Sequence, residues 1–128
     1  MAQIVVYGHA AALRPRIPAL SAAIHRATVG VLGLPEDKRF HRFLPLEPDC
    51  FLTPADRSED YIIIEVSMFE GRSPETLKEY VRELYRQTSG LGIAPIDVEI
   101  TISTTPRHHW GIRGLPGDEL TLDYRVTL

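Results

Sequence analysis

The sequence predicts an α+β fold of two layers. A duplicated β-α-β unit makes a four-stranded sheet with both helices on one face, and short strands follow at the C-terminal end. Three observations carry this. Apolar, β-branched runs alternate with segments of helical period. The order strand, helix, strand occurs twice. The two occurrences also align without a gap through most of the unit, so that Ile4 falls on Ile63, Pro15 on Pro74, Leu32 on Leu91 and Gly33 on Gly92.

The first strand is "IVVY", in which Ile4, Val5, Val6 and Tyr7 suit a pleated, packed surface. Pro15 and Pro18 are tolerable only in a helix's first turn, which puts a helix start near Pro15. Ile17, Leu20, Ile24, Ala27 and Val31 then form one apolar stripe, and Gly33 with Pro35 ends it. "KRFHRFLPLE" reads as a second strand, its Pro45 pointing to an edge or a bulge, and "PDCFLTPADRSED" reads as loop. "YIIIEVSMF" is apolar enough to be a central strand. In the following helix Ser73 can cap and Pro74 fits the first position. Leu77, Tyr80, Val81, Leu84 and Tyr85 make its buried face. "DVEITISTT" alternates, with Val98, Ile100 and Ile102 on one face and Glu99, Thr101 and Ser103 on the other. The tail reads as short strands around a Gly-Pro-rich turn, "GLPGDE". The chain is thus a single domain, 1–128, with halves at about 1–58 and 59–105 and a tail, 106–128.

Composition narrows the function classes. With 128 residues, 44% of them hydrophobic and 24% charged, the chain is an ordinary globular domain. A net charge of -3 speaks against a sequence-independent nucleic-acid binder. The single cysteine, Cys50, forms no intrachain disulfide, so a reducing cytoplasm is the expected location. No apolar run approaches a membrane span and no signal peptide is visible.

The doubled unit, the strand at the amino terminus and the phrases "LGLPEDKRF", "EGRSPE" and "HHWGIRG" together resemble the tautomerase superfamily. Within it the chain is most similar to the malonate semialdehyde decarboxylase-like branch, and to uncharacterised bacterial relatives that lack the amino-terminal proline. The resemblance implies a trimer. It also implies an amino-terminal catalytic position, which falls on Ala2 where the family has proline. Ala2 would present its own amine there only once Met1 is removed. Lys38 falls where the decarboxylases carry an aspartate. Of two family arginines after the third strand only the second is matched, by Arg72, and the first falls on Glu70. Trp110 and Ile112 match the family's apolar pocket wall. The scaffold, one arginine and the wall carry over; the decarboxylation machinery mostly does not.

The residues are also readable without the family. Arg72 sits just before a helix start, where an always-charged fork and the helix dipole both suit a carboxylate. Its bland alternative is a solvated loop arginine. Strand alternation sends Arg39 and His41 to one face and Lys38 and Arg42 to the other, so Arg39 is a candidate second cation and His41 a candidate acid or base. The alternative is an exposed strand or interface ion pairs. "RHHWGIRG" adds His109 as a candidate proton carrier and Arg113 as a further substrate-binding cation. Adjacent histidines on a strand point to opposite faces, and Cys50 completes no zinc spacing, so neither a metal nor another cofactor is expected. Asp56, Arg57, Asp60 and Asp118 read as loop pins.

The expected function is therefore binding of a small anionic carboxylate, a 2-oxo acid or enol, in a cationic pocket near the amino terminus. Proline-type tautomerase or decarboxylase activity is expected to be weak or absent. The alternatives are a non-catalytic binding or structural trimer on the same scaffold and, last, a ferredoxin-like regulatory or RNA-binding domain. The last is disfavoured because the strands lack an aromatic and basic recognition pattern. Two helices on one face leave the other in need of cover, which a homotrimer would supply.

Overall fold

The computed structural model describes residues 1–122 and 124–126. Its main sheet holds β1 (Ala2–His9), β2 (His41–Leu46), β3 (Ile62–Phe69) and β4 (Val98–Thr105), in the order β2-β1-β3-β4. Two crossovers are parallel, β1 to β2 and β3 to β4, while the central pair β1 and β3 runs antiparallel. Ala2 therefore lies opposite Met68, and Phe69 opposite Thr105. The starts of β1 and β2 and the ends of β3 and β4 share one end of the sheet.

The first crossover has more parts than the prolines suggest. A single helical turn, α1 (Ala10–Leu13), leads into a 3-10 turn over Arg14–Arg16, and α2 (Ile17–Leu32) follows. Pro15 thus sits in the 3-10 turn and Pro18 occupies the first turn of α2. Gly33 closes α2 in the left-handed conformation, φ 68°, which glycine adopts without a Cβ clash. The second crossover helix, α3 (Pro74–Gly90), starts where the sequence puts it: the Ser73 side chain accepts from the Thr76 amide at 3.2 Å.

The core lies between the helices and one sheet face. Ile4 and Val6 of β1, Ile62, Ile64, Val66 and Met68 of β3, and Val98 of β4 meet Leu20, Ile24 and Ala27 of α2 and Tyr80 and Leu84 of α3. The Tyr80 hydroxyl, at the centre, meets Thr28 Oγ1 at 2.8 Å, so the buried phenol is satisfied. Equivalent positions of the two halves are one residue off the ungapped alignment here. Ile4 corresponds in burial to Ile64, since Ile63 faces the other way, and Thr28 corresponds to Thr88; each threonine bonds the carbonyl four residues back.

The other sheet face is mixed rather than apolar. Val5, Tyr7, Leu44 and Ile63 share it with Gln3, Arg42, Glu65, Ser67, Glu99, Thr101 and Ser103. Tyr7 donates to Glu65 at 2.7 Å across it. The face that a homotrimer is expected to cover is therefore partly polar. β2 is an edge strand, as Pro45 requires. The tail forms a small hairpin, β5 (Gly111–Ile112) and β6 (Leu115–Pro116). Its turn is Arg113–Gly114, with φ 51° and 86°, the two positive values of a type I′ turn. The reversal thus begins one residue before the anticipated "GLPGDE" and shares its Gly114.

Candidate functional site

The antiparallel crossing of β1 and β3 gathers four segments at one end of the sheet: Met1 and Ala2, the Lys38–Phe40 stretch before β2, the Glu70–Ser73 loop after β3, and the chain after Thr105. Met1 and Ala2 are both buried. A buried α-amino group loses hydration that favours its charged form. Burial first, then the positive charges of Arg72, Arg107 and Lys38, push the Met1 amine down to about 5, so at neutral pH it is a free base.

Arg72 is not the solvated loop arginine of the bland alternative. It is neither solvated nor open to the cavities at this end, being only 7% exposed. One nitrogen, Nη1, donates to the Phe69 carbonyl at 3.3 Å, and Nε and Nη2 are buried without a partner among the described residues. Burial pushes its guanidinium below the ordinary arginine range. Buried guanidinium N–H groups left without an acceptor are costly.

The wall beside it is aromatic. Trp110 meets Phe69 edge-on at 5.1 Å and donates from Nε1 to Thr105 Oγ1 at 2.8 Å. The Arg107 guanidinium lies over the Phe69 ring at 5.7 Å and donates to the carbonyls of Gly117 and Leu120. A side chain at Gly117 would collide with the Arg107 carbonyl, so the tail packs there backbone to backbone. In front, a cavity of about 350 Å³ is lined by Met1, Gln3, Phe40, Gly111, Ile112 and Arg113. A neighbouring cavity of about 370 Å³ shares Gln3 and Phe40 with it and adds Arg39, His41 and Arg42.

The sequence-derived candidates separate on this geometry. Ile112 and Arg113 line the first cavity with Met1, and Arg39 lines the second. Arg72 and Trp110 stand behind, among the lining residues of neither. Strand β2 begins only at His41, so the alternation extended back to Lys38 does not hold. His41 turns toward α2, where its Nδ1 meets Ser21 Oγ at 2.8 Å, and its ring lies 6.0 Å from that of His25. Burial, then His25 and Arg39, push it down to about 4, which makes it a weak base. His109 is not on a strand. It ends a 3-10 turn, Arg107–His109, is exposed, and its ring meets that of His108 edge-on at 4.7 Å. The opposite-faces argument for the two histidines is corrected with it. Arg107, Phe69 and Tyr124 were not singled out as site residues. Arg107 was visible in "RHHWGIRG", whereas Tyr124 has no local signal. Tyr124 accepts a hydrogen bond from the Met1 amine.

Among the described residues no group of three or more His, Cys, Asp or Glu is placed to hold a metal ion, and no helix is long and apolar enough to cross a membrane.

A family model described as tautomerase enzyme matches residues 38–113, more than half of the chain. Among solved structures, the chain is similar to FG41 malonate semialdehyde decarboxylase inhibited by 3-bromopropiolate, at 27% identity. That match covers 85% of this chain and 87% of that one with a TM-score of 0.77. It is also similar to a malonate semialdehyde decarboxylase at 22% identity, covering 92% and 99%, TM-score 0.79. A third is an asymmetric trimer of fused 4-OT at 17% identity, covering 91% and 96%, TM-score 0.80.

Proposed function

This chain belongs to the tautomerase family, and from that premise we propose that it binds a small carboxylate, of the 2-oxo acid or enol type, at the amino-terminal end of its sheet. The observation that carries this is Arg72. Its Nε and Nη2 are buried with no acceptor among the described residues, and Nε with an Nη is the pair that a carboxylate engages in two parallel bonds. The cations that depress the Met1 amine, Arg72, Arg107 and Lys38, give the same end a positive field. Lys38 stands where the decarboxylases resembled carry an acid, which supports weak or absent decarboxylation.

In this reading Arg72 holds the carboxylate, the Phe69 and Trp110 rings limit water, and a terminal amine is the candidate proton carrier or Schiff-base former. With Met1 present that amine stands one residue beyond the family position. Ala2 lies within β1, so its own amine reaches the site only after Met1 is removed. The second reading, a non-catalytic binding or structural trimer, draws support from the Tyr124 hydroxyl that already engages the amine. A homotrimer is part of both. Fused 4-OT neighbours are trimers, and this chain's β4 edge carries an apolar groove lined by Leu77, Val81, Ile100 and Ile102. Sedimentation as a stable monomer at micromolar concentration would end the trimer.

Calorimetric titration with pyruvate tests the carboxylate reading. Arg72→Ala is expected to weaken binding roughly ten- to hundredfold, since a charge-assisted bond is worth about 1.5–3 kcal/mol. Equal affinity of the two proteins would sink it. Preparing the Met1 and Ala2 termini separately, and assaying enolised phenylpyruvate with borohydride trapping, tests the amine. High, equal activity of both forms rules the amine out as catalyst.

A further inference from the structure

Leu120, Tyr124 and Val126 return to this same end of the molecule. Arg107 anchors the tail as far as Leu120, whose carbonyl accepts from Nη2 at 2.9 Å. Beyond that anchor the described residues Thr121, Leu122 and Tyr124–Val126 lie in neither helix nor strand. Tyr124 and Val126 are nevertheless placed by specific contacts. The Tyr124 ring packs against the hydrophobic core and its hydroxyl accepts from the Met1 amine. Val126 runs against Gly71, the residue before Arg72. A Cβ at Gly71 would lie 2.8 Å from the Val126 carbonyl oxygen, and Gly71 holds φ +134°, so only glycine fits under the tail. Glu70 and Gly71 are exposed while Arg72, next in the chain, is buried.

We propose that Tyr124 is a positioning residue of this site and that residues 124–126 form a strap over the terminal amine and Arg72. The strap has to lift for a carboxylate to enter. The inference rests on the carboxylate reading of Arg72 for what the strap admits, and on the contacts alone for the strap itself. The phenol does two things. Its hydroxyl occupies the hydrogen-bonding position beside the amine, so hydroxyl and ligand compete for the amine. Its ring supplies part of the cover that excludes water. The two roles separate by substitution: Tyr124→Phe keeps the ring and removes the hydroxyl, and Tyr124→Ala removes both.

The experiment uses the full chain with its Met1 terminus verified by mass. Acylation of the α-amine by a soluble N-hydroxysuccinimide ester is followed on the amino-terminal peptide between pH 5 and 9. Thermal midpoints confirm that each variant is folded. Tyr124→Ala is expected to label roughly tenfold faster at pH 9, where the amine is mostly unprotonated in every variant, as loss of one hydrogen bond and its cover would give. The midpoint of its pH profile is expected to rise toward the ordinary α-amine value near 8.0 as water returns. Tyr124→Phe is expected to label faster than the unaltered protein with no upward shift of the midpoint, because the ring still shuts out water. A tyrosine that merely supported the fold would leave the profile in place. Pyruvate affinity is then measured in each variant, with and without Arg72→Ala, and Tyr124→Ala is expected to bind several-fold more tightly. Equal labelling rates and midpoints in all three proteins would overturn the strap. Faster labelling together with pyruvate binding indifferent to Arg72→Ala would uphold the strap and defeat the carboxylate reading, so the two fail separately.

Discussion

The two ends of the sheet are built from the same parts, a strand running into a crossover helix, and they handle charge in opposite ways. At the end where β1 finishes, Arg16 meets Asp60 at 3.2 Å, and Arg57 meets both Asp56 and Glu99. The buried Asp97 accepts from the Ser58 amide at 2.8 Å and from its hydroxyl at 2.6 Å. At the end where β3 finishes, Arg72 is more buried than either of those arginines, and its hydrogen bond goes to a neutral carbonyl. Loop arginines at the far end are partly wet and paired, so they hold structure at little cost. Arg72 is buried and has no acid partner among the described residues, which is a poor arrangement for stability and a good one for capturing an anion.

If that contrast is right, removing the unpaired charge should strengthen the fold. Arg72→Met is expected to raise the unfolding free energy by up to about 4 kcal/mol, the upper end of the range found when buried ion pairs give way to apolar side chains of similar volume. Carboxylate binding is expected to be lost with it. A fall in stability on urea denaturation would mean that Arg72 is a structural pin like Arg57, and the two ends would no longer differ.

The complementary change at the far end should weaken the fold. Asp97→Ala leaves the Ser58 amide without its acceptor and is expected to cost about 1–3 kcal/mol in urea denaturation, with carboxylate affinity unchanged. A coupled loss of affinity would show that the two ends communicate.

Titration sharpens the comparison further. The Met1 amine is pushed down to about 5 from 8.0, and His41 to about 4 from 6.5, in both cases first by burial. Between the folded and unfolded values the unfolded chain binds more protons, so stability rises with pH across those windows. It is fully present above pH 8 and falls as the pH drops from 8 toward 5 for the amine, and from 6.5 toward 4 for His41. Allowing for partial solvent screening, each contribution is on the order of 1 kcal/mol. Thermal midpoints across pH 4–9 check this. Acetylating the amine should flatten the upper window and His41→Phe the lower.

The smallest effect belongs to the exposed pair. Arg16→Ala is expected to cost about 0.2–1 kcal/mol and to shrink further in high salt, because both partners are partly solvated. A larger, salt-insensitive loss would mean that this end too relies on a buried charge.

How much of this was legible varied with distance along the chain. The pinning role of Arg57 was readable because its acid Asp56 is adjacent in sequence, while its partner Glu99 was not. Arg72 was readable as a candidate from its place before Ser73 and Pro74, yet its burial was not, since that depends on the surrounding tail and strands. His109 was misplaced because Pro106 leads into a 3-10 turn where a strand was assumed. His41 was placed on a strand correctly, but what it faces is set by α2, through Ser21 and His25. The one-residue shift between the halves escaped the ungapped alignment, since a period of two gives each face again only on even offsets.

The sequence by itself determined the order of elements, the helix faces of Leu20, Ile24, Tyr80 and Leu84, the cap at Ser73 and the stop at Gly33. These follow from sterics and apolar spacing within single segments, where each residue's neighbours are its sequence neighbours. Tertiary structure alone decided that β1 and β3 run antiparallel, that Met1 thereby meets the loop bearing Arg72, and that Tyr124 returns across the whole chain to reach the amine. Such contacts join residues far apart in the chain. No local preference encodes them, and they form only when one packing of the whole core excludes water better than its competitors.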